Sequence, residues 1–193
     1  MASQYDDELW ELVPEIGNRP PAHLVKFVRS LGEAERALDL GCGDGRLSAE
    51  LGARRLYAAD VSSVALERAR GRLGSEAEIV EVDPDSPLPL EDSQFDLVLC
   101  AETLEHVRDV QLFLSEVRRV LRPGGTFALT TPAHGRLTAL RLLIRGFDNG
   151  FDPLSPHLRF FTKRSLTRLL TELGFDIRSM RRESGTLLVT ARR

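Results

Sequence analysis

Leu38-Asp39-Leu40-Gly41-Cys42-Gly43-Asp44-Gly45 joins an apolar run carrying one acid to three glycines at alternate positions. Residues 36–40 predict a strand, the glycines a tight turn that lets a ligand approach the backbone, and 46–51 a helix. Outward from there, 55–59 predict a second strand ending at Asp60, and 63–73 a helix with Ser62 as its N-cap. Residues 79–82 predict a third strand. Residues 95–100 are nearly continuously apolar, as in the middle of a parallel sheet. Helical spacing over 110–121 stops at Pro123-Gly124-Gly125, and a fifth strand over 126–131 stops at Pro132, which has no N–H to donate.

Strand and helix alternating at these lengths predict an α/β fold: a doubly wound, Rossmann-like, mostly parallel seven-stranded sheet that binds its ligand at the strands' C-terminal ends. A further helix over 163–173, with Gly174 as its C-cap, leads to strands at 175–180 and 187–191. Glu183-Ser184-Gly185 joins these two as an antiparallel hairpin at the sheet edge. A single domain is expected over 1–193. Residues 1–33 would be cap helices, 34–132 the ligand-binding core, 133–162 a lid and 163–193 the closing helix and hairpin. The lid carries Leu137, Leu140, Leu142, Leu143, Ile144, Phe147 and Phe151, and Tyr5 to Leu12 with Trp10 would close the other side of the pocket.

The ligand of the glycine turn is expected to be cationic. Asp39 and Asp44 flank the glycines and would repel a pyrophosphate at a helix N-terminus. Arg46 stands where a dinucleotide fingerprint needs a small residue. The stretch 38–45 resembles the first motif of class I methyltransferases, whose donor, S-adenosylmethionine, carries an ammonium and a sulfonium and no phosphate. Asp60 ends the second strand, where that family places the acid that takes both ribose hydroxyls. Asp83, followed by Pro84, matches the acid that contacts the adenine amino group, with Asp85 as the alternative. Residues 88–96 resemble the family's lead into strand four, and 120–125 its turn before strand five. The likeness covers 36–132 and, with the closing helix and hairpin, reaches the C-terminus. It implies S-adenosylmethionine as cofactor, held by Asp39, Gly41, Cys42, Gly43, Asp60, Val61, Asp83 and Ala101.

Ala101-Glu102-Thr103-Leu104-Glu105-His106-Val107 follows the central strand and should border the methyl group. If helical, it places Glu102, Glu105 and His106 on one face, where two carboxylates and an imidazole can hold a divalent cation. Alternatively the two glutamates occupy a first helical turn, favoured by the dipole, and His106 packs beneath the lid. Glu102-x-x-Glu105-His106 resembles the motif of ubiquinone-pathway O-methyltransferases and of small-RNA 3′-end 2′-O-methyltransferases. That resemblance implies a divalent metal. In the RNA enzymes a later histidine completes the site, and His157 stands at a similar place, so the implied ligands are Glu102, Glu105, His106 and His157. Without metal, His106 or His157 would serve as general base.

The expected reaction is methyl transfer to an oxygen or nitrogen of a small-molecule acceptor, with a diol or catechol hydroxyl favoured. RNA or another macromolecule is the second candidate acceptor, and a non-catalytic partner of another methyltransferase is a third reading. Composition agrees with one globular domain: 193 residues, 42% hydrophobic and 28% charged. No apolar run reaches the roughly 20 residues that span a bilayer, and Asp6, Asp7 and Glu8 are unlike a signal peptide, so no membrane partner and a cytoplasmic location are expected. Two cysteines suggest neither a disulfide framework nor a zinc cluster. The net charge is −3, yet from Ala133 onward twelve Lys or Arg face five Asp or Glu. An anionic partner could face that excess, but a solvated helix surface accounts for most such charge runs and is the reading preferred.

Overall fold

The computed structural model describes residues 2–13, 19–135, 138, 143–144 and 157–193. Seven strands form one sheet: β1 (Glu33–Leu40), β2 (Gly52–Asp60), β3 (Ala77–Glu81), β4 (Phe95–Ala101), β5 (Leu121–Pro132), β6 (Asp176–Glu183) and β7 (Thr186–Arg192). Their order is β3-β2-β1-β4-β5-β7-β6. Pairing is parallel from β3 across to β5 and antiparallel between β5, β7 and β6. The chain order reverses direction across the sheet between β1 and β4, the kind of switch point beside which open α/β sheets bind ligands.

Burial explains why some strand ends were legible and others were not. In β1 only the last four residues, Ala37 to Leu40, are buried, and in β2 only the last three, Ala58 to Asp60. The exposed first halves carry Glu33, Glu35, Arg36, Arg54 and Arg55 and no apolar alternation, so the strands begin earlier than the pattern predicts. The buried halves converge at the C-terminal edge of the parallel strands.

Five helices complete the described fold: α1 (Ala2–Leu12), α2 (Ala22–Arg29), α3 (Ser63–Leu73), α4 (Val110–Val120) and α5 (Lys163–Glu172). α2 buries Leu24, Phe27 and Val28 in a cluster with Ala37, Leu97, Leu99 and Leu188. α4 and α5 bury Leu114, Val117, Leu166 and Leu170 with Leu38, Val98, Phe127 and Val189 on the opposite face. α3 sets Leu66 and Ala69 on Ala58 and Cys42, with Ser62 accepting from the Ala65 N–H at its cap.

Three local expectations are corrected. The helix expected over 46–51 is one 3₁₀ turn, Ser48–Glu50, because β2 starts at Gly52 and the Ser48 hydroxyl turns inward to Asp39. Pro123 to Gly125 lie within β5 rather than ahead of it, where the pairing with β4 is irregular between Phe95 and Leu97. The α5 cap residue is Leu173, and Gly174 follows it at φ +79°. The hairpin turn comes as expected, with Ser184 and Gly185 both at positive φ, the pair that matches a two-residue turn to the strands' twist. Of the expected lid, Leu137, Leu140, Leu142, Phe147 and Phe151 lie outside the described residues, as does the Tyr5 side chain. Leu143 and Ile144 are exposed. Among the described residues no helix is long and apolar enough to cross a membrane.

Candidate active site

The C-terminal ends of β1, β2 and β4 open onto a cavity of about 300 Å³, within the range of small-molecule sites. Leu40, Gly41, Gly43, Asp60 and Val61 form its inner wall, Val82 and Asp83 one side, and Glu102, Thr103 and His106 another. Asp6, Leu9 and Trp10 of α1 close the outside.

The glycine turn folds back over β2, with the Gly41 and Cys42 N–H groups both donating to the Ala59 carbonyl at 2.8 and 3.0 Å. Gly41 sits at φ +80° and Gly43 at +53°. A Cβ on Gly41 would lie 2.3 Å from Thr103 Cγ2, and one on Gly43 2.5 Å from Trp10 Cζ2. Side chains of this chain therefore already use the close approach that these glycines permit. Asp60 is buried; Gly43 N–H donates to its Oδ2 at 2.8 Å and Ser62 N–H to its Oδ1 at 3.0 Å. Burial raises its pKa against these backbone donors. Each oxygen retains acceptor capacity, because a carboxylate offers about four lone-pair sites.

Asp39 lies behind the turn and does not line the cavity. Its Oδ2 accepts from Ser48 at 2.6 Å, its Oδ1 has no partner among the described residues, and burial pushes its carboxyl up to about 7. Cys42 and Ala101 also stand outside the cavity lining. Burial, then Asp39, raises the Cys42 thiol, which leaves it unreactive at neutral pH. Asp44 is held by Arg46 at 2.6 Å and Arg72 at 3.2 Å, so its charge is compensated, and Asp60 is the acid beside the turn that lines the cavity where a phosphate would have to sit. Of the two candidate adenine acids, Asp83 lines the cavity and accepts from Asp85 N–H and Ser86 Oγ, whereas Asp85 faces Arg108 at 3.6 Å.

After β4 the chain makes a turn, so the helical alternative for this segment does not hold; His106 N–H donates to the Thr103 carbonyl. Glu102 adopts φ +53°, an uncommon conformation for glutamate that surrounding contacts must hold. Its N–H donates to Thr130 O at 3.0 Å and Oγ1 at 3.1 Å, and the Thr130 hydroxyl donates to its Oε1 at 2.8 Å. Glu105 turns inward instead, its Oε2 accepting from Thr131 at 2.9 Å and its Oε1 having no hydrogen-bond partner among the described residues. Burial pushes Glu105 up to about 7. Leu158 and Arg159 donate their N–H groups to the Glu105 carbonyl at 2.9 and 3.1 Å, and Arg159 Nε donates to Val107 O at 3.0 Å, which docks the segment carrying His157. The His106 and His157 rings lie 4.8 Å apart, and His106 Nε2 is 4.0 Å from Glu105 Oε1. One ligand atom from each of Glu105, His106 and His157 falls within 4.8 Å of the others. Glu102 is not in that group.

Sequence reasoning missed His23, Thr130 and Thr131, and within the segments it placed at the pocket it gave no role to Asp6, Asp7 or Thr103. His23 of α2 lies 3.4 Å from Thr186 Oγ1, and its charge counters the burial that raises the Glu102 pKa. Thr130 and Thr131 could have been found, since two adjacent hydroxyls at the end of an apolar strand need partners where they are buried.

Residues 38–129 match the family described as Methyltransferase domain. The chain is 36% identical over 153 residues to a Mycolicibacterium smegmatis protein named "Probable S-adenosylmethionine-dependent methyltransferase", covering 72% of this chain and 51% of the relative. It is 35% identical over 121 residues to a ubiquinone biosynthesis O-methyltransferase of Chelativorans sp., covering 60% of this chain and 47% of that one. It thus spans about half the length of these curated relatives. A solved S-adenosylmethionine-dependent methyltransferase of Methanosarcina mazei superposes with a TM-score of 0.68 at 26% identity, covering 91% of this chain and 99% of the other. Its sheet, its glycine turn and these relatives agree: the chain belongs to the class I S-adenosylmethionine-dependent methyltransferases.

Proposed function

We propose that the chain transfers the methyl group of S-adenosylmethionine to a hydroxyl of a small diol or catechol. The observation that carries the acceptor half is the meeting of Glu105, His106 and His157, with His106 itself lining the cavity. For the donor half, the remaining acceptor sites of Asp60 suit ribose hydroxyls and exposed Asp83 suits an adenine amino group. Gly41, Cys42, Gly43, Val61 and Ala101 shape the backbone around them. Asp39 adds negative charge behind the turn, which favours a cation when the carboxyl is ionised.

Bound, the cofactor supplies a methyl carbon already activated by sulfonium charge. The protein's contribution is then to hold the acceptor oxygen in line, which can supply several kcal/mol of the barrier reduction. One carboxylate and two imidazoles fit a borderline ion such as Mn²⁺, Fe²⁺ or Zn²⁺ better than Mg²⁺, and Glu105 Oε1, without a hydrogen-bond partner among the described residues, is an oxygen such an ion would satisfy. An ion held there would lower the pKa of a coordinated hydroxyl. In its absence His106 or His157 takes the proton directly. A macromolecular acceptor is less well supported, because the basic last third is partly neutralised by Arg168–Glu172, Arg178–Asp176 and Arg181–Glu183.

The test is turnover of S-adenosylmethionine with catechol, phenol and RNA as acceptors, before and after chelation and with Mn²⁺ restored. Catechol methylation that chelation abolishes and Mn²⁺ restores is expected, with phenol inert. His106→Ala should lower kcat by about 100-fold or more. Chelator-insensitive activity would reject the metal and keep the histidine base, whereas methylation of RNA alone would overturn the small-molecule acceptor. Asp83→Ala should weaken cofactor binding and Asp85→Ala should not, as calorimetry with S-adenosylhomocysteine would show; the reverse would move the adenine contact to Asp85.

A further inference from the structure

Helix α1 has eleven residues, too few to be stable without tertiary contacts. What holds it is concentrated on Asp7. Asp7 Oδ1 accepts from Ser62 Oγ at 2.6 Å and from Val64 N–H at 3.2 Å, and Oδ2 accepts from Ser63 Oγ at 3.2 Å. The carboxylate thus lies on the positive end of α3 and satisfies one of the backbone donors left open in its first turn. The Ser62 hydroxyl, first among these donors, holds the Asp7 carboxyl below its ordinary range, so it is ionised at neutral pH. Arg68 of α3 adds a second pin, Nη1 donating to the Val13 carbonyl at 2.9 Å.

This anchor sits one residue from the cofactor pocket. Ser62 binds Asp7 through its hydroxyl and Asp60 through its N–H, so the acid assigned to the ribose and the anchor of α1 share one residue. With α1 held there, the Trp10 indole lies on Gly43, and Asp6 and Leu9 face the cavity.

We propose that Asp7 is a positioning residue of the cofactor site: by fixing α1 on the start of α3 it sets Trp10 and Asp6 as the cavity's outer wall and slows escape of the bound cofactor. This rests on the reading of the cavity as the S-adenosylmethionine site. Among the described residues the hydrogen bonds that hold α1 are those of Asp7 and the one at Val13. A cover held so sparsely can swing out for ligand entry and close again, so Asp7 governs residence time more than arrival.

Trp10 is the chain's single tryptophan, so emission excited at wavelengths that tyrosine does not absorb reports α1 alone. S-adenosylhomocysteine should change Trp10 emission in the wild type. Asp7→Ala should shift ligand-free emission toward that of exposed indole and raise the dissociation rate of S-adenosylhomocysteine about tenfold, an effect in the range of losing a helix cap, with the association rate little changed. Asp7→Asn keeps the oxygen that serves Ser62 and Val64 and should recover part of the loss. If the wild type binds S-adenosylhomocysteine but Asp7→Ala alters neither emission nor dissociation rate, the positioning role is overturned while the site reading stands. A wild type that does not bind S-adenosylhomocysteine overturns both.

Discussion

Asp60→Ala is expected to weaken binding of S-adenosylhomocysteine by ~1 to 3 kcal/mol, about 5- to 150-fold. Two losses combine. The ribose hydroxyls lose their acceptor, and the N–H groups of Gly43 and Ser62, which donate to Asp60 at 2.8 and 3.0 Å, lose theirs and loosen the turn. Asp60→Asn retains one acceptor oxygen and should fall between wild type and Ala. Calorimetry measures all three, and an unchanged affinity in Asp60→Ala would remove the residue from the site.

Asp39→Asn should stabilise the fold at neutral and alkaline pH and weaken the cofactor. Asp39 is 1% exposed, and burial raises its carboxyl from 3.8 to about 7. The folded chain therefore keeps a proton that the unfolded chain releases. The stability tied to this group is complete below the unfolded pKa near 4 and is lost as pH rises through the folded value near 7. About three pKa units correspond to ~4 kcal/mol lost by pH 8. Asparagine does not ionise and keeps an oxygen for Ser48, so denaturant unfolding should show the variant ahead of wild type by a margin that grows from pH 4 to pH 8. Its cofactor affinity should fall because the negative charge behind the turn is gone, a case of stability exchanged for function. A margin independent of pH would show that the Asp39 carboxyl does not titrate in this way.

The sheet was legible where its strands are buried. Phe95 to Cys100 and Leu38 to Leu40 announce themselves because the centre of a parallel sheet is apolar on both faces. The exposed starts of β1 and β2 carry no such signal, and the turn at Ser48 is governed by a hydrogen bond to Asp39 that no periodicity encodes. That Gly41, Gly43 and Asp60 meet at one cavity follows from local sequence, because their geometry is set within a strand, its turn and the next strand's end. Helical spacing over Glu102 to His106 does not produce a helix: the positive φ at Glu102 sends its carboxylate to Thr130 while Glu105 goes to Thr131. Asp7 on α3 and His23 beside Thr186 join parts of the chain 55 and 163 residues apart, and such contacts leave no local mark.

If the cavity between the glycine turn, Asp60 and α1 holds S-adenosylmethionine, titration calorimetry of the purified chain with S-adenosylmethionine, S-adenosylhomocysteine and NAD will distinguish the three ligands. Micromolar or tighter saturable binding of the first two, with no saturable heat from NAD, is the expected result; preference for NAD, or no binding of S-adenosylhomocysteine, would contradict it.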